Sequence, residues 1–244
     1  MTGCNHQVIL YLQGSDGLMH AGASVAIPAS IAGPAAVADL NGDGVVDLAI
    51  AFTTGNPGNI VIIPGDRTSG IGTPYSMSEN FLAAFNGGPV LAVGDINGDG
   101  RADLVFSVDD NVGNRGIHTY LQQADGTLKP GPSLTTALIT TAIFIADLNG
   151  DGLQDIALAG GNGPGISLWY QSVGGIFTAP IPDNRFNGQP IGLLDVNRDQ
   201  VLDVLALGAN APSGSTLVIG YGIPPGGGPI QGIQGTARRL LRGQ

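Results

Sequence analysis

Four nine-residue segments repeat one arrangement of aspartates, and this arrangement constrains the chain more than any other feature. They are Asp39-Leu40-Asn41-Gly42-Asp43-Gly44-Val45-Val46-Asp47, Asp95-Ile96-Asn97-Gly98-Asp99-Gly100-Arg101-Ala102-Asp103, Asp147-Leu148-Asn149-Gly150-Asp151-Gly152-Leu153-Gln154-Asp155 and Asp195-Val196-Asn197-Arg198-Asp199-Gln200-Val201-Leu202-Asp203. Twelve of the nineteen acidic residues of the chain lie inside them. The other seven are Asp16, Asp66, Glu79, Asp109, Asp110, Asp125 and Asp183, against nine Lys and Arg in all. The negative charge is therefore local. Three carboxylates held so close repel one another, and such a cluster calls for a counter-ion.

The spacing points to a hard divalent cation, and calcium fits best. Calcium takes six to eight oxygens. Positions 1, 3 and 5 of each segment offer side-chain oxygens: Asp39, Asn41 and Asp43; Asp95, Asn97 and Asp99; Asp147, Asn149 and Asp151; Asp195, Asn197 and Asp199. Position 7 offers a backbone carbonyl at Val45, Arg101, Leu153 and Val201. Position 9 adds a carboxylate at Asp47, Asp103, Asp155 and Asp203. The glycine at position 6 permits the sharp turn with positive φ that gathers these groups. No His or Cys joins the clusters, which argues against zinc. Magnesium usually keeps several waters and avoids all-protein cages. Four Ca²⁺ would bring the net charge of −10 close to neutral. The fourth segment is the weakest match, because Arg198 and Gln200 replace the two glycines.

The rest of the composition excludes several classes. With 244 residues and 43% hydrophobic content, the chain can bury a core, and 41 Gly and 16 Pro make it turn often. The mean hydropathy of +0.22 and the 11% charged residues are unlike a disordered chain. The acidic balance lacks the basic stripe of a nucleic-acid binder. The longest apolar stretch, around Ala137 to Ile145, is too short to span a bilayer. The single cysteine, Cys4, excludes an internal disulfide. The first residues, Met1 to His6, do not read as a signal peptide. An export segment already removed, another export route and residence inside the cell all stay open.

The first Asp of each segment falls at 39, 95, 147 and 195, so the chain is a long internal repeat. An apolar run precedes each segment (Ala35–Ala38, Val90–Val93, Ala142–Ile145, Ile191–Leu194), and a second follows it (Leu48–Phe52, Leu104–Phe106, Ile156–Leu158, Val204–Leu207). A third run comes after a Gly/Asn-rich turn: Ile60–Ile63, Ile117–Leu121, Ile166–Tyr170 and Thr216–Ile219. A Gly turn and a short polar segment follow and read as a fourth strand. Short runs bounded by Gly, Asn and Pro are strands, and no stretch keeps a helical period. Four strands per unit predict an all-β chain of β-propeller blades, with the Asp-rich loop between the first two strands of each.

The Asp-rich motif between strands, with Gly174-Gly175-Ile176-Phe177-Thr178-Ala179-Pro180 further on, resembles FG-GAP/VCBS repeats, the integrin α-like propeller family. Looser echoes of the second element are Asp125-Gly126-Thr127-Leu128-Lys129-Pro130 and Ser69-Gly70-Ile71-Gly72-Thr73-Pro74. The resemblance covers residues 8–230. It implies that Asp39, Asn41, Asp43 and Asp47, with their counterparts, ligate calcium, usually in a structural role. It also implies an extracellular or cell-surface module for adhesion, glycan binding or scaffolding. Closed propellers of the family commonly have seven blades. This chain has blades at about 34–80, 89–135, 141–183 and 189–230, an N-terminal half blade at 7–30, and a tail or arm at 231–244.

Closure as a small propeller, a fragment of a longer chain, and completion of a sheet edge by a neighbouring subunit are the alternatives for the half blade. Exposed edges template pairing between chains, and a contact that does not close builds a filament or tube. The leading expectation is a non-catalytic, calcium-stiffened structural or adhesion module that self-associates. A lectin-like glycan binder is the alternative; Tyr120, Trp169 and Tyr170 on the third strands read first as packing between blades, and otherwise as a sugar-stacking platform. A polysaccharide-active enzyme is the remote third, since Asp109 and Asp110 are the one adjacent acidic pair outside the loops and do not face each other across a substrate. His6, His20 and His118 share no motif and read as surface or edge-strand residues. The basic cluster Ala237-Arg238-Arg239-Leu240-Leu241-Arg242 follows the Gly/Pro-rich stretch Gly222 to Gly235 and reads as a frayed tail or as an arm that docks on an acidic neighbour.

Overall fold

The computed structural model describes residues 7–27, 32–52, 59–78, 90–109, 115–136, 139–160, 166–179, 181–183, 188–196, 198, 202–208 and 216–220. Cys4, His6, Glu79, Asp110, Asn197, Asp199, Gln200, Val201 and the Arg238–Arg242 cluster lie outside them. Every regular element among the described residues is a β-strand.

The apolar runs become the strands of successive antiparallel sheets. The first sheet orders Ala32–Ala38, Asp47–Phe52, Asn59–Ile63 and Tyr75–Ser78. The second orders Leu91–Gly94, Asp103–Asp109 and Arg115–Gln122, and both Leu128–Pro130 and Leu134–Thr135 pair with its third strand. The third orders Thr140–Ala146, Asp155–Gly160, Ile166–Trp169 and Ile181–Asp183. The fourth has Gly188–Leu194, Asp203–Gly208 and Thr216–Gly220. Ahead of them, Gln7–Gln13 pairs with Met19–Ala26 as a separate hairpin. In each sheet the Asp-rich segment joins the first strand to the second, as the spacing predicts.

The end of the repeat differs from expectation. The Gly turn does not lead straight into a fourth strand. In the first and third sheets it closes a hairpin of its own, Gly65–Asp66 with Gly70–Ile71 and Gln171–Ser172 with Ile176–Phe177. The fourth strand comes after it. Two residues per arm make these hairpins too short for a period-2 pattern to appear in the sequence.

The chain forms two compact units, one holding the described residues up to Val93 with Arg101–Thr135, the other Gly94–Gly100 with the described residues from Thr136 on. Within the first unit, side chains alternate between the two faces of the first sheet. Ala49, Ala51, Ile60 and Ile62 meet Leu91, Leu104, Phe106 and Tyr120 of the second sheet. Ile50, Val61 and Ile63 point the other way, against Val8, Val25 and Ile27 of the N-terminal hairpin. The central strands are thus buried on both faces, which is why they read as unbroken apolar runs. Each fully buried Ile or Leu contributes about 1.5–3 kcal/mol. In the second unit, Leu148, Ala157, Ile166 and Leu168 of the third sheet and its loop pack against Val204 and Leu193 of the fourth.

Candidate metal centre

The first three Asp-rich loops repeat nearly the same hydrogen bonds. In the first, Asp39 Oδ1 accepts from the Gly42 N–H at 2.6 Å and Asp39 Oδ2 from the Gly44 N–H at 2.8 Å. Asn41 Oδ1 accepts from the Asp43 N–H, and Asp43 Oδ1 from the Val45 N–H. In the second loop Asp95 takes the N–H groups of Gly98 and Gly100, and Asn97 that of Asp99. In the third, Asp147 takes those of Gly150 and Gly152, Asn149 that of Asp151, and Asp151 that of Leu153. Each short polar side chain closes an Asx-type turn two or three residues on. Burial pushes the Asp39 carboxyl upward, but the N–H donors of Gly44, Gly42 and Asn41 outweigh it and hold it below the ordinary value.

The elbow needs two left-handed residues per loop, not one. Position 4 has φ of 76°, 77° and 76° at Gly42, Gly98 and Gly150; position 6 has 77°, 83° and 87° at Gly44, Gly100 and Gly152. In the fourth loop Arg198 holds position 4 at φ 64° and donates its N–H to Asp195 Oδ1 at 2.6 Å. The position-4 requirement is invisible in the ligand spacing, which marks only the glycine at position 6.

The ninth-position aspartates stand apart from the rest of the loop. Asp47, Asp103, Asp155 and Asp203 are all buried, the first at 1% exposure and the others at 0%. Their oxygens clamp the elbow to the sheet. Asp47 Oδ2 accepts from the Leu40 N–H and Oδ1 from the Gly65 N–H. Asp155 does the same with Leu148 and Gln171, Asp103 accepts from Gln122, and Asp203 from Val196. Burial raises the Asp155 carboxyl to about 6, opposed by the N–H bonds of Gln171 and Leu148 and helped by the charges of Asp151 and Asp147. Asp47 is raised for the same reasons, with Asp43 and Asp39 as the repelling charges.

This donor set suits a hard cation. A carboxylate oxygen has two lone pairs, so one N–H bond leaves room for a metal bond. Burial chiefly raises Asp47 and Asp155, and the neighbouring aspartates add repulsion; a bound cation would answer both. Among the described residues, no three His, Cys, Asp or Glu side chains stand close enough to hold an ion by themselves. An ion here would draw also on Asn41, Asn97 and Asn149 and on backbone carbonyls. Asn197, Asp199 and Val201 of the fourth set lie outside the described residues.

A model of the FG-GAP-like repeat matches the chain three times, over residues 39–106, 95–158 and 147–206. The chain belongs to the FG-GAP-like repeat family. Each match opens on the first aspartate of one loop and ends in the second strand of the next sheet, so it takes in two successive Asp-rich segments. A comparison with curated proteins finds no match for this FG-GAP-like chain.

Several side chains depart from their sequence reading. Trp169 is 1% exposed and Tyr120 is buried against Phe106, with ring centroids 6.0 Å apart, so both take the packing reading and depart from that of a sugar platform. His118 is not on an edge strand; it lies half-buried in the third strand of its sheet, edge-on to Phe106. His20 is exposed as expected, but has a partner the sequence does not reveal: Asp16, at 2.9 Å across the hairpin turn. Arg67 donates to the carbonyls of Asp43 and Gly44 at 3.2 and 3.3 Å, a cation beside the first loop that no motif marks. Arg101 Nε donates to the Gln122 carbonyl. Three of the acids outside the loops also recur in one role. Asp16, Asp66 and Asp125 each accept the N–H two residues on, closing the turn that follows a third-strand run.

Proposed function

We propose that the four Asp-rich elbows bind calcium, and that the ions brace a β-propeller of four blades and a half blade. The observation that carries this reading is the buried ninth-position aspartate. A carboxylate at 0–1% exposure is costly unless its charge is answered. The hydrogen bonds of Asp47 and Asp155 come chiefly from backbone N–H groups, and the nearby charges acting on them are those of other aspartates. Calcium supplies the positive charge that lets the elbow and its sheet hold together with every aspartate ionised.

The module is non-catalytic and structural in this reading, an extracellular or cell-surface element for adhesion or scaffolding. Self-association is supported by the N-terminal hairpin. Among the described residues it has two strands, and Tyr11, Leu12, Leu18 and Met19 on it are each more than half exposed. Apolar side chains beside unpaired strand edges favour pairing with another chain.

Calorimetric titration of the full chain with CaCl₂, and thermal melts in millimolar calcium against EDTA, test the proposal. Near-stoichiometric heats for about four sites and a melt raised by 10 °C or more are expected. An unchanged melt and no heat would overturn it.

A further inference from the structure

We propose that Gln122 is a positioning residue that couples the calcium loops of neighbouring repeats, so that filling one favours filling the next. The inference rests on the calcium reading above. Gln122 is 1% exposed and ends the third strand of the second sheet. Its backbone N–H goes to Asp103 Oδ1 at 2.8 Å, the ninth position of its own repeat. Its side-chain Nε2 goes to the Asp39 carbonyl at 2.9 Å, the first position of the preceding repeat. One buried residue therefore holds both the clamp of one loop and the entry of another, 83 residues away. A shift of the Asp39 backbone on binding an ion reaches Asp103 through a single side chain.

The next repeat makes the backbone half of this arrangement. Gln171 donates its N–H to Asp155 Oδ1, as Gln122 does to Asp103. Its side chain is buried with Nε2 and Oε1 both unpartnered, and Oε1 lies 3.9 Å from where a Cβ on Gly98 would stand, in the second loop. An orphaned buried amide is costly, and aimed into the second loop it is poised for a group that the closed, loaded loop presents. Gln154 adds a bond already made, accepting the Asp95 N–H at 2.7 Å. The first sheet has Gly65 at this position, where a Cβ would meet the Val46 carbonyl and the Val45 side chain. Among the described residues, the full bond from this position to the preceding repeat's loop is made by Gln122 of the second repeat.

Calcium titrations of the full chain, followed by hydrogen exchange at peptide resolution, read each loop separately. Asp43→Ala removes an exposed ligand of the first loop. It should raise the calcium midpoint of the 95–103 loop three-fold or more in the wild-type background and leave it unchanged beside Gln122→Met. Gln122→Asn, too short to span the bond but still polar, should behave like Gln122→Met if the latter folds poorly. A merely structural Gln122 would lower the melt and leave the coupling intact. Equal shifts in both backgrounds, or none in either, would overturn the proposal while leaving calcium binding standing. A wild-type chain with no calcium-dependent protection in any loop would overturn both.

Discussion

Gly126 stands so close to the carbonyl oxygen of Asn41 that no Cβ fits between them. Gly126 turns the hairpin at the end of one repeat, and Asn41 is the third position of the preceding repeat's loop. Gly17 occupies the matching turn of the N-terminal hairpin with φ +77° against +80° at Gly126, but nothing lies within 4 Å of its absent side chain. Backbone strain is therefore the same at the two sites and packing differs. Gly17→Ala should cost about 1 kcal/mol, the left-handed penalty alone. Gly126→Ala should cost about 3 kcal/mol, because the loop must also shift. Urea unfolding of both variants measures the difference, and equal losses would show that the turn does not press on the loop.

The clamp at Asp47 predicts a contrast between the ninth and fifth positions. Both Asp47 oxygens accept buried backbone N–H groups, so Asp47→Asn turns one acceptor into a donor facing a donor. A loss of about 1–3 kcal/mol is expected even in EDTA. Asp43 is exposed and accepts one N–H within its own turn. Asp43→Asn should cost less than about 1 kcal/mol in EDTA and act mainly on calcium affinity. Denaturant curves with and without calcium separate the two effects.

The contrast also shows how far the sequence carries. The strands are legible because Ile60–Ile63 and Ile156–Leu158 are buried on both faces and leave unbroken apolar runs. The loops are legible because Asp and Asn at positions 1, 3 and 5 close turns on their own neighbours, within five residues. Position 9 is legible only in part: a sequence shows Asp47 as a candidate ligand but not its burial, which depends on a sheet assembled from both sides. Gln122 and Asp39, or Gly126 and Asn41, meet only when two repeats stack, and no local pattern encodes that.

The buried carboxyl of Asp155 sets a pH dependence. Its value in the folded chain is about 6, against an ordinary 3.8. The folded state therefore holds this proton more tightly than the unfolded state. Between pH about 4 and 6 stability should fall as pH rises, and then level off. Asp39, with its carboxyl held low by N–H donors, acts oppositely, and its contribution is lost as pH falls below about 3.8. In EDTA the chain should be more stable near pH 5 than at pH 7.5. Calcium binds the ionised form, so saturating calcium should flatten or invert this slope. Melts across pH in the two conditions test it; a metal-free chain most stable above pH 7 would contradict the burial of Asp155.

Arg198 brings backbone and charge into one residue. It is the one described non-glycine residue at positive φ, 64°, at a position that is glycine in the other three loops. A side chain there costs roughly 1–2 kcal/mol, partly offset because glycine gives the unfolded chain more freedom, by about 0.4–1 kcal/mol. Arg198→Gly should therefore stabilise the metal-free chain by about 0.5 kcal/mol. It also removes a positive charge from the loop that begins at Asp195, whose carboxylate accepts the Arg198 N–H. Arg198→Ala separates the two contributions, since it removes the charge and keeps the Cβ. If charge limits the fourth site, both variants should tighten calcium there severalfold; if geometry limits it, Arg198→Gly alone should do so. Calcium titrations of the two variants, read by exchange protection of the 195–203 loop, distinguish these outcomes, and no change in either would place the weakness of the fourth loop at Gln200.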